Sequence, residues 1–383
     1  MSRVALTGAA LVLPREVVEG HALLIDGWRI VGWTPVTALP SDWQVQRLDG
    51  GWLAPGFIDV QVNGGGDVLL NDSPTVDGIR IIARAHRRFG TTGLLPTLIS
   101  DRSAVIDTVI SATEQALTEG VPGVLGLHIE GPHLNPVKKG IHDDGRFTAI
   151  DDTALSRLAS PTQGIRLVTL APELAPSGAI RQLREAGVLV AAGHSLADYK
   201  QTCAALAEGL SGFTHLFNAM TQLGSREPGM VGAALCHRAS HFGLIVDGLH
   251  VHPATLRVAI AARGIDGAML VTDAMPPVGG ASTRFSLMGQ TIEMIDGTCR
   301  GPDGTLAGSA LSMVQAFRNA MDMLGCTVSE ASRMASTNPA AFLGLAGETG
   351  TIGVGLRADL VHLDAERRVT RTWIAGVMEA RGE

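Results

Sequence analysis

From Gly56 onward the chain alternates short apolar runs with amphipathic stretches, and this alternation restricts its possible folds more than any other feature. The apolar runs are GFIDVQVN (56–63), TTGLLPTLI (91–99), GVLGLHIE (123–130), IRLVTLAPE (165–173), VLVAAGHS (188–195), GFTHLFNAM (212–220), FGLIVDGLHV (242–251) and AMLVTDA (268–274). Between them lie stretches of helical periodicity, such as VDGIRIIARAHRRF, IDTVISATEQALTE and GAIRQLREAG. Short runs of this kind read as strands buried on both faces, and the intervening stretches read as helices that cover them. Eight such units predict an α/β fold, a TIM-like (β/α)8 barrel, whose functional groups gather at the C-terminal ends of the strands. The rival, an open doubly wound sheet, lacks its usual mark, because no G-x-G-x-x-G follows the first strand.

The flanks differ. Residues 1–53 read as short alternating strands, with a hairpin turn at Asp26-Gly27. After Ala274 a Gly-rich piece reads as hairpins, two helices follow over about 309–324 and 328–343, and the tail returns to alternating strands. The expected organisation is a catalytic barrel over 54–344 and a small β-sandwich domain built from both chain ends, 1–53 and 345–383. The apolar VALTGAALVL runs into Pro14-Arg15-Glu16 without a small-residue cleavage pattern, so it reads as strand and not as a targeting segment. No run reaches the ~18 apolar residues of a membrane span. Four scattered cysteines (Cys203, Cys236, Cys299, Cys326) with no C-x-x-C pair are expected as buried apolar residues of a reducing cytosol. A net charge of −7 and only 4% aromatic residues argue against a nucleic-acid partner, leaving room for a local basic pocket. The expected location is cytoplasmic.

Chemistry enters with HIEGPHL (128–134), where Glu130 stands at the end of the third strand between His128 and His133. A carboxylate among imidazoles is costly in a core and useful around a metal. The fifth strand ends in His194 of AAGHS and the sixth carries His215 of FTHLFNAM. One carboxylate and two imidazoles supply three ligands for Zn²⁺ or a similar divalent ion and leave a position for water. The eighth strand ends in Asp273 of VTDA, well placed to accept a proton from that water. A lone strand-end His is more often a hydrogen-bonded structural residue, and a lone Asp is often a helix cap. Four such residues on four strands of one barrel rim favour a site.

HIEGPHL, AGHS, THLFNAM, REPG, DGLHV, VTDA and LAGSAL, in this order, closely resemble the N-acetylglucosamine-6-phosphate deacetylases of the amidohydrolase superfamily. The likeness spans nearly the whole chain, from APGFIDVQVNG to the ADLV of the tail. It implies Glu130, His194 and His215 as metal ligands and Asp273 as general base and acid. It further implies that His142, in KKGIHDD, polarises the acetyl carbonyl. Asn218 and Ala219 hold the sugar, Arg226 and His250 hold the 6-phosphate, and Leu306 and Ala307 line the substrate through backbone groups. The family further suggests a homodimer, with Arg226 and His250 offered to the neighbouring active site.

Many superfamily members open the first strand with His-x-His and bind two metals, whereas this chain reads Gln61-Val62-Asn63. Neutral amides are poor ligands for Zn²⁺ beside imidazole and carboxylate. One divalent ion per subunit is therefore expected, Zn²⁺ first, with Fe²⁺, Mn²⁺ and Co²⁺ as alternatives, and a second site is absent or weak. Phe217 replaces a Tyr familiar in the family, which is expected to alter packing only. The implied reaction takes N-acetyl-D-glucosamine 6-phosphate to D-glucosamine 6-phosphate and acetate. The galactosamine epimer and other amides remain alternatives, because no residue visibly reads the epimer. A non-catalytic barrel is disfavoured by the retained ligands and Asp273. Arg226 also reads as a surface arginine and His250 as a solvated loop residue next to His252. Lys138 and Lys139, in the loop 135–147, fit either a solvated loop or a lid.

Overall fold

The computed structural model describes residues 3–379. Eight parallel strands form one sheet in strict sequence order: β1 (Phe57–Val62), β2 (Thr91–Ile99), β3 (Gly126–Glu130), β4 (Ile165–Leu170), β5 (Leu189–Ala192), β6 (Gly212–Phe213), β7 (His241–Leu244) and β8 (Ala268–Leu270). The sheet closes through a parallel bridge between Val62 and Ala274, backed by donation from Asp273 N to Gln61 O at 3.0 Å. Each strand is followed by one helix: α1 (Val76–Arg87), α2 (Ser103–Thr118), α3 (Asp152–Leu158), α4 (Ala179–Glu185), α5 (Tyr199–Glu208), α6 (Gly229–Cys236), α7 (Pro253–Arg263) and α8 (Met313–Leu324). This is the expected barrel.

Local chemistry starts the helices. The Thr75 side chain accepts from Gly78 N ahead of α1, and Asp198 with Gln201 forms a reciprocal capping box at α5. Strands β1 to β3 are buried along their whole length, because side chains fill the barrel on one face and helices cover the other. One contiguous core results, running from Phe57 and Ile58 through Val168, Phe213 and Phe242 to Phe317.

The two chain ends meet in a small β layer. Trp52–Pro55 pairs antiparallel with Leu360–Leu363 and parallel with Ala10–Val12, so the second sheet contains strands from both termini. A four-stranded sheet of Arg29–Pro35, His21–Asp26, Arg3–Thr7 and Gln44–Arg47 lies against it over a shared core that includes Leu6, Leu23, Ile30, Leu53, Leu360 and Trp373. The hairpin turns between Asp26 and Arg29, where expected. Between β8 and α8 the Gly-rich segment forms a four-stranded antiparallel sheet (Arg284–Leu287, Gln290–Ile295, Thr298–Arg300, Leu306–Ser309) with its own small core around Leu287, Ile292 and Cys299.

Three details differ from the expectation. Strand β6 ends at Phe213, not near 220, because His215, Phe217 and Ala219 adopt φ of 31°, 80° and 50°, which stop an extended chain. Strands β4 and β7 likewise end earlier than expected, at Leu170 and Leu244. Cys299 and Cys326 are buried, but Cys236 is exposed at the end of α6 and Cys203 half-buried on α5; all four are free thiols. No helix among the described residues is long and apolar enough to cross a membrane. Residues 1–2 and 380–383 of the two predicted terminal segments lie outside the described residues.

Candidate active site

Glu130 closes β3, His194 and His215 stand just past β5 and β6, and Asp273 stands past β8. The last three have left-handed backbones, with φ of 49°, 31° and 52°. Non-glycine residues pay for that conformation, and it turns each side chain from the end of its strand into the barrel mouth. Glu130, His194 and His215 are buried and Asp273 is half-buried, and all four line a cavity of about 380 Å³.

The donor set is specific. Glu130 Oε1 lies 3.1 Å from His215 Nε2 and 3.3 Å from His194 Nε2, and the two Nε2 atoms are 3.1 Å apart. His194 Nδ1 donates to the backbone oxygen of Lys138 at 2.7 Å, which turns its Nε2 toward the others. Among the described residues these three are the group of His, Cys, Asp and Glu ligand atoms close enough to share one metal ion. Two imidazole nitrogens and a carboxylate oxygen converging on one point, with one imidazole fixed by a carbonyl on its far side, suit a divalent cation.

Burial presses the Glu130 carboxyl upward, but the hydrogen bonds from His194 and His215 outweigh it and hold the group well below the usual carboxylate range. For His215 the same contact wins over burial in the other direction and raises it. Burial, with Glu130 nearby, pushes Asp273 up to about 6. Burial, with His194 nearby, pushes His142 down to about 3, so its imidazole is neutral. Ser100 Oγ lies 2.8 Å from His142 Nδ1, and Ser100 N also donates to Nδ1 at 3.4 Å. With Nδ1 accepting, the ring proton resides on Nε2.

Gln61 and Asn63, where His-x-His is familiar, turn their amide nitrogens to carboxylates. Gln61 Nε2 donates to Glu130 Oε2 at 3.1 Å and to Asp273 Oδ1 at 3.2 Å, and Asn63 Nδ2 donates to Asp273 Oδ1 at 2.6 Å. Two amide donors thus fix one oxygen of the Asp273 carboxylate, and Asp273 lines the cavity.

Of the remaining predicted residues, His142, Asn218, Ala219, His250 and Leu306 line the cavity. His250 lines the cavity of its own chain, where Asp247 Oδ2 holds its Nδ1 at 2.6 Å. Ala307 is buried behind Leu306 and Arg226 lies on an exposed loop, and neither lines the cavity. Lys138 does line it, and loop 135–147 packs over the metal ligands through its bond to His194 and through His142. His128 and His133 are structural: His128 Nε2 pairs with Thr169 Oγ1 at 2.7 Å beneath the site, and His133 Nδ1 donates to Thr148 O.

Several supporting residues carry no sequence signal as such. Ser100 orients His142. Glu173 accepts from Ser195 Oγ at 2.6 Å and Leu196 N at 2.6 Å, fixing the turn that presents His194. Asp59, buried in β1, accepts from the Thr272 hydroxyl and backbone next to Asp273. Each is an ordinary polar residue whose partner is supplied by a distant strand.

A (β/α)8 barrel with a Glu-His-His donor set and a carboxylate facing it defines a metal-dependent hydrolase. The amidohydrolase family model matches residues 52–378, and the chain belongs to the amidohydrolase family. Its relatives include the N-acetylgalactosamine-6-phosphate deacetylase of Shewanella sp. (strain ANA-3), 39% identical over 98% of this chain and 96% of the relative. Another is the N-acetylglucosamine-6-phosphate deacetylase of Homo sapiens, 38% identical over 85% and 82%. Among solved structures, the N-acetylglucosamine-6-phosphate deacetylase of Pasteurella multocida superposes with a TM-score of 0.96 at 34% identity, covering 99% of this chain and 100% of that one. A Mycobacterium smegmatis deacetylase in complex with N-acetyl-D-glucosamine-6-phosphate gives 0.92 at 32% identity, covering 99% of each.

Proposed function

We propose that this chain removes the acetyl group from N-acetyl-D-glucosamine 6-phosphate, giving D-glucosamine 6-phosphate and acetate. The observation that carries the reading is the convergence of Glu130, His194 and His215 within 3.3 Å, across from an amide-anchored Asp273. The relatives' named substrates supply the sugar phosphate.

Glu130, His194 and His215 hold one divalent cation, Zn²⁺ first and Fe²⁺, Mn²⁺ or Co²⁺ as alternatives. That ion supplies Lewis acidity toward the acetamide carbonyl and acidifies water. Asp273, anchored through Oδ1, takes the water proton on its free oxygen and later returns it to the departing amine. His142, neutral with its proton on Nε2, donates to the carbonyl oxygen as negative charge builds there. Asn218, Ala219 and the backbone at Leu306 and Ala307 hold the sugar. His250, oriented by Asp247, binds the phosphate, and its position in the cavity supports a role in its own subunit's site. Arg226, outside that cavity, serves as the second phosphate ligand for the neighbouring subunit of a homodimer, where its guanidinium can bind two oxygens at once. We also place the division of labour at a barrel of 54–344 and a small β-sandwich of 1–53 with 345–383, in a cytoplasmic protein.

A second reading, the galactosamine epimer, is favoured by the 39% identity to the Shewanella deacetylase and 37% to that of Escherichia coli O157:H7. The experiment is acetate release from both N-acetylhexosamine 6-phosphates and from the unphosphorylated sugars, with metal counted on the same sample and Asp273→Asn as control. Activity that needs the phosphate, vanishes in the variant and tracks about one metal per chain sustains the reading. The ratio of kcat/KM for the two epimers chooses between them. A folded, metal-loaded protein inactive on both removes the substrate assignment.

A further inference from the structure

A second cavity, of about 900 Å³, opens on the outside of the barrel between α1 and α8, with the C-terminal strand Val369–Ile374 at its edge. It shares no residue with the active-site cavity. Its wall contains Arg84, Arg87, Arg88, Arg318, Arg368 and Arg371, and no Asp or Glu among the described residues. Arg368 pairs with Asp364 and Glu366 and Arg87 donates to the Pro122 oxygen at 2.8 Å, so the cluster's charge rests on Arg84, Arg88, Arg318 and Arg371, in a chain of 30 lysines and arginines against 37 acidic residues.

Elsewhere the arginines find carboxylates. Arg80 pairs with Asp77 and Glu119, Arg157 with Asp107, Arg284 with Glu293, and Arg333 with Asp266. In the cavity, Arg84, Arg88, Arg318 and Arg371 form no ion pair among the described residues. Three of them are held by backbone oxygens: Arg318 Nε donates to Arg367 O at 2.8 Å, Arg371 Nη1 to Arg47 O at 3.2 Å and Arg88 Nη1 to Gly279 O at 3.4 Å. Carbonyls position a guanidinium without neutralising it, and like charges brought together repel. Burial, then the neighbouring Arg367, lowers Arg318 from its ordinary value, against Asp364 and Asp322 nearby.

The start of α8 adds to the same field. Its cap residue Ser312 makes no side-chain cap hydrogen bond, and Ser312, Val314 and Gln315 line the cavity. The first-turn N–H groups of a 12-residue helix therefore stand beside the arginines with the positive end of the helix dipole.

We propose that this cavity binds a small anion carrying two or more phosphate groups, separate from the substrate of the barrel mouth. A single phosphate balances at most two of the cations, whereas a bisphosphate meets guanidinium forks at both ends. The volume falls in the range of small-molecule sites, roughly 300–1,000 Å³, which favours a metabolite over an extended polymer. The proposal does not depend on which hexosamine the active site takes.

The test is calorimetric titration of the metal-loaded enzyme with fructose 1,6-bisphosphate, with fructose 6-phosphate as the single-phosphate control. Three proteins are compared: unmodified, Arg84→Glu/Arg88→Glu, and His250→Ala. Arg84 and Arg88 are exposed, so their reversal leaves the fold intact, and Arg371→Ala serves as an independent second variant. The expected result is bisphosphate binding equal in the unmodified and His250→Ala proteins, weaker for the monophosphate, and at least about tenfold weaker in both cavity variants. Deacetylation by the cavity variants in ligand-free buffer stays unchanged. Absence of binding to the unmodified enzyme overturns the proposal. So does equal binding by the cavity variants, and so does a loss confined to His250→Ala, which assigns the ligand to the barrel mouth.

Discussion

Asn63 Nδ2 donates to Asp273 Oδ1 at 2.6 Å, so the residue in the place of a familiar metal ligand anchors the carboxylate of the eighth strand instead. The hydrogen bond favours the charged carboxylate and opposes the burial that lifts Asp273 to about 6. Activity that needs this carboxylate falls as pH drops through that value, and a cation held nearby moves the acidic limb lower still. Asn63→Ala removes a donor to a charged group, worth about 1.5–3 kcal/mol. The acidic limb of kcat/KM against pH should therefore move upward, by about one unit or more. An unmoved limb in an active Asn63→Ala enzyme means that another group sets it.

His142 touches the site through Nε2, while Ser100 holds Nδ1. If its role is to donate to a developing oxyanion, His142→Ala lowers kcat about 10²–10³-fold and leaves metal content unchanged. Ser100→Ala leaves the imidazole in place but frees its orientation, so a smaller loss is expected. Because His142 is neutral across the working range, neither variant should displace the acidic limb. A displaced limb in His142→Ala would identify it as the titrating group instead.

The metal centre makes a prediction about stability as well as rate. Two Nε2 atoms 3.1 Å apart beside a carboxylate form a good arrangement only around a cation or shared proton. Chelation should lower Tm, and Zn²⁺, Mn²⁺ or Co²⁺ should restore it, because an ion that binds only the folded chain stabilises it by mass action. His194→Ala and Glu130→Gln should bind less than one ion per chain and show no Tm response to added metal. A full Tm response in both would place the ion elsewhere.

The barrel was legible because eight apolar runs in sequence order leave few topologies, and strand ends collected Glu130, His194, His215 and Asp273 without further help. The limits are equally physical. Nothing in the residue types at 215, 217 and 219 announces left-handed backbones, so the apolar run of β6 reads longer than the strand it forms. Ser100, Glu173 and Asp247 gain their roles from partners 22 to 42 positions away or from a loop turn, which local reading does not supply. Arg226, expected in the phosphate site from its motif, lies on an exposed loop outside the active-site cavity. The arginine-lined cavity draws on segments near 84, 318 and 370, so no single stretch advertises it.

Asp59 offers the sharpest stability test. Full burial in β1 pushes its carboxyl up from 3.8 to about 7, against hydrogen bonds from Thr272 and Gln61 that favour ionisation. The folded chain therefore holds this proton more tightly than the unfolded chain. Between about 4 and about 7 the native state binds more protons, so the group's contribution to stability is fully present below the unfolded value and declines as pH rises to about 7. Each unit of difference corresponds to about 1.4 kcal/mol, which makes the effect large enough to see in denaturant titrations. Asp59→Asn cannot ionise, so its stability should be flatter across that window and should gain on the unmodified protein as pH rises. The amide also loses one acceptor for the Thr272 hydroxyl, a cost of about 1–3 kcal/mol that is independent of pH. The slope, not the absolute stability, is therefore the diagnostic. Identical slopes for the two proteins from pH 4 to 7 would mean that Asp59 is ionised in the native barrel throughout.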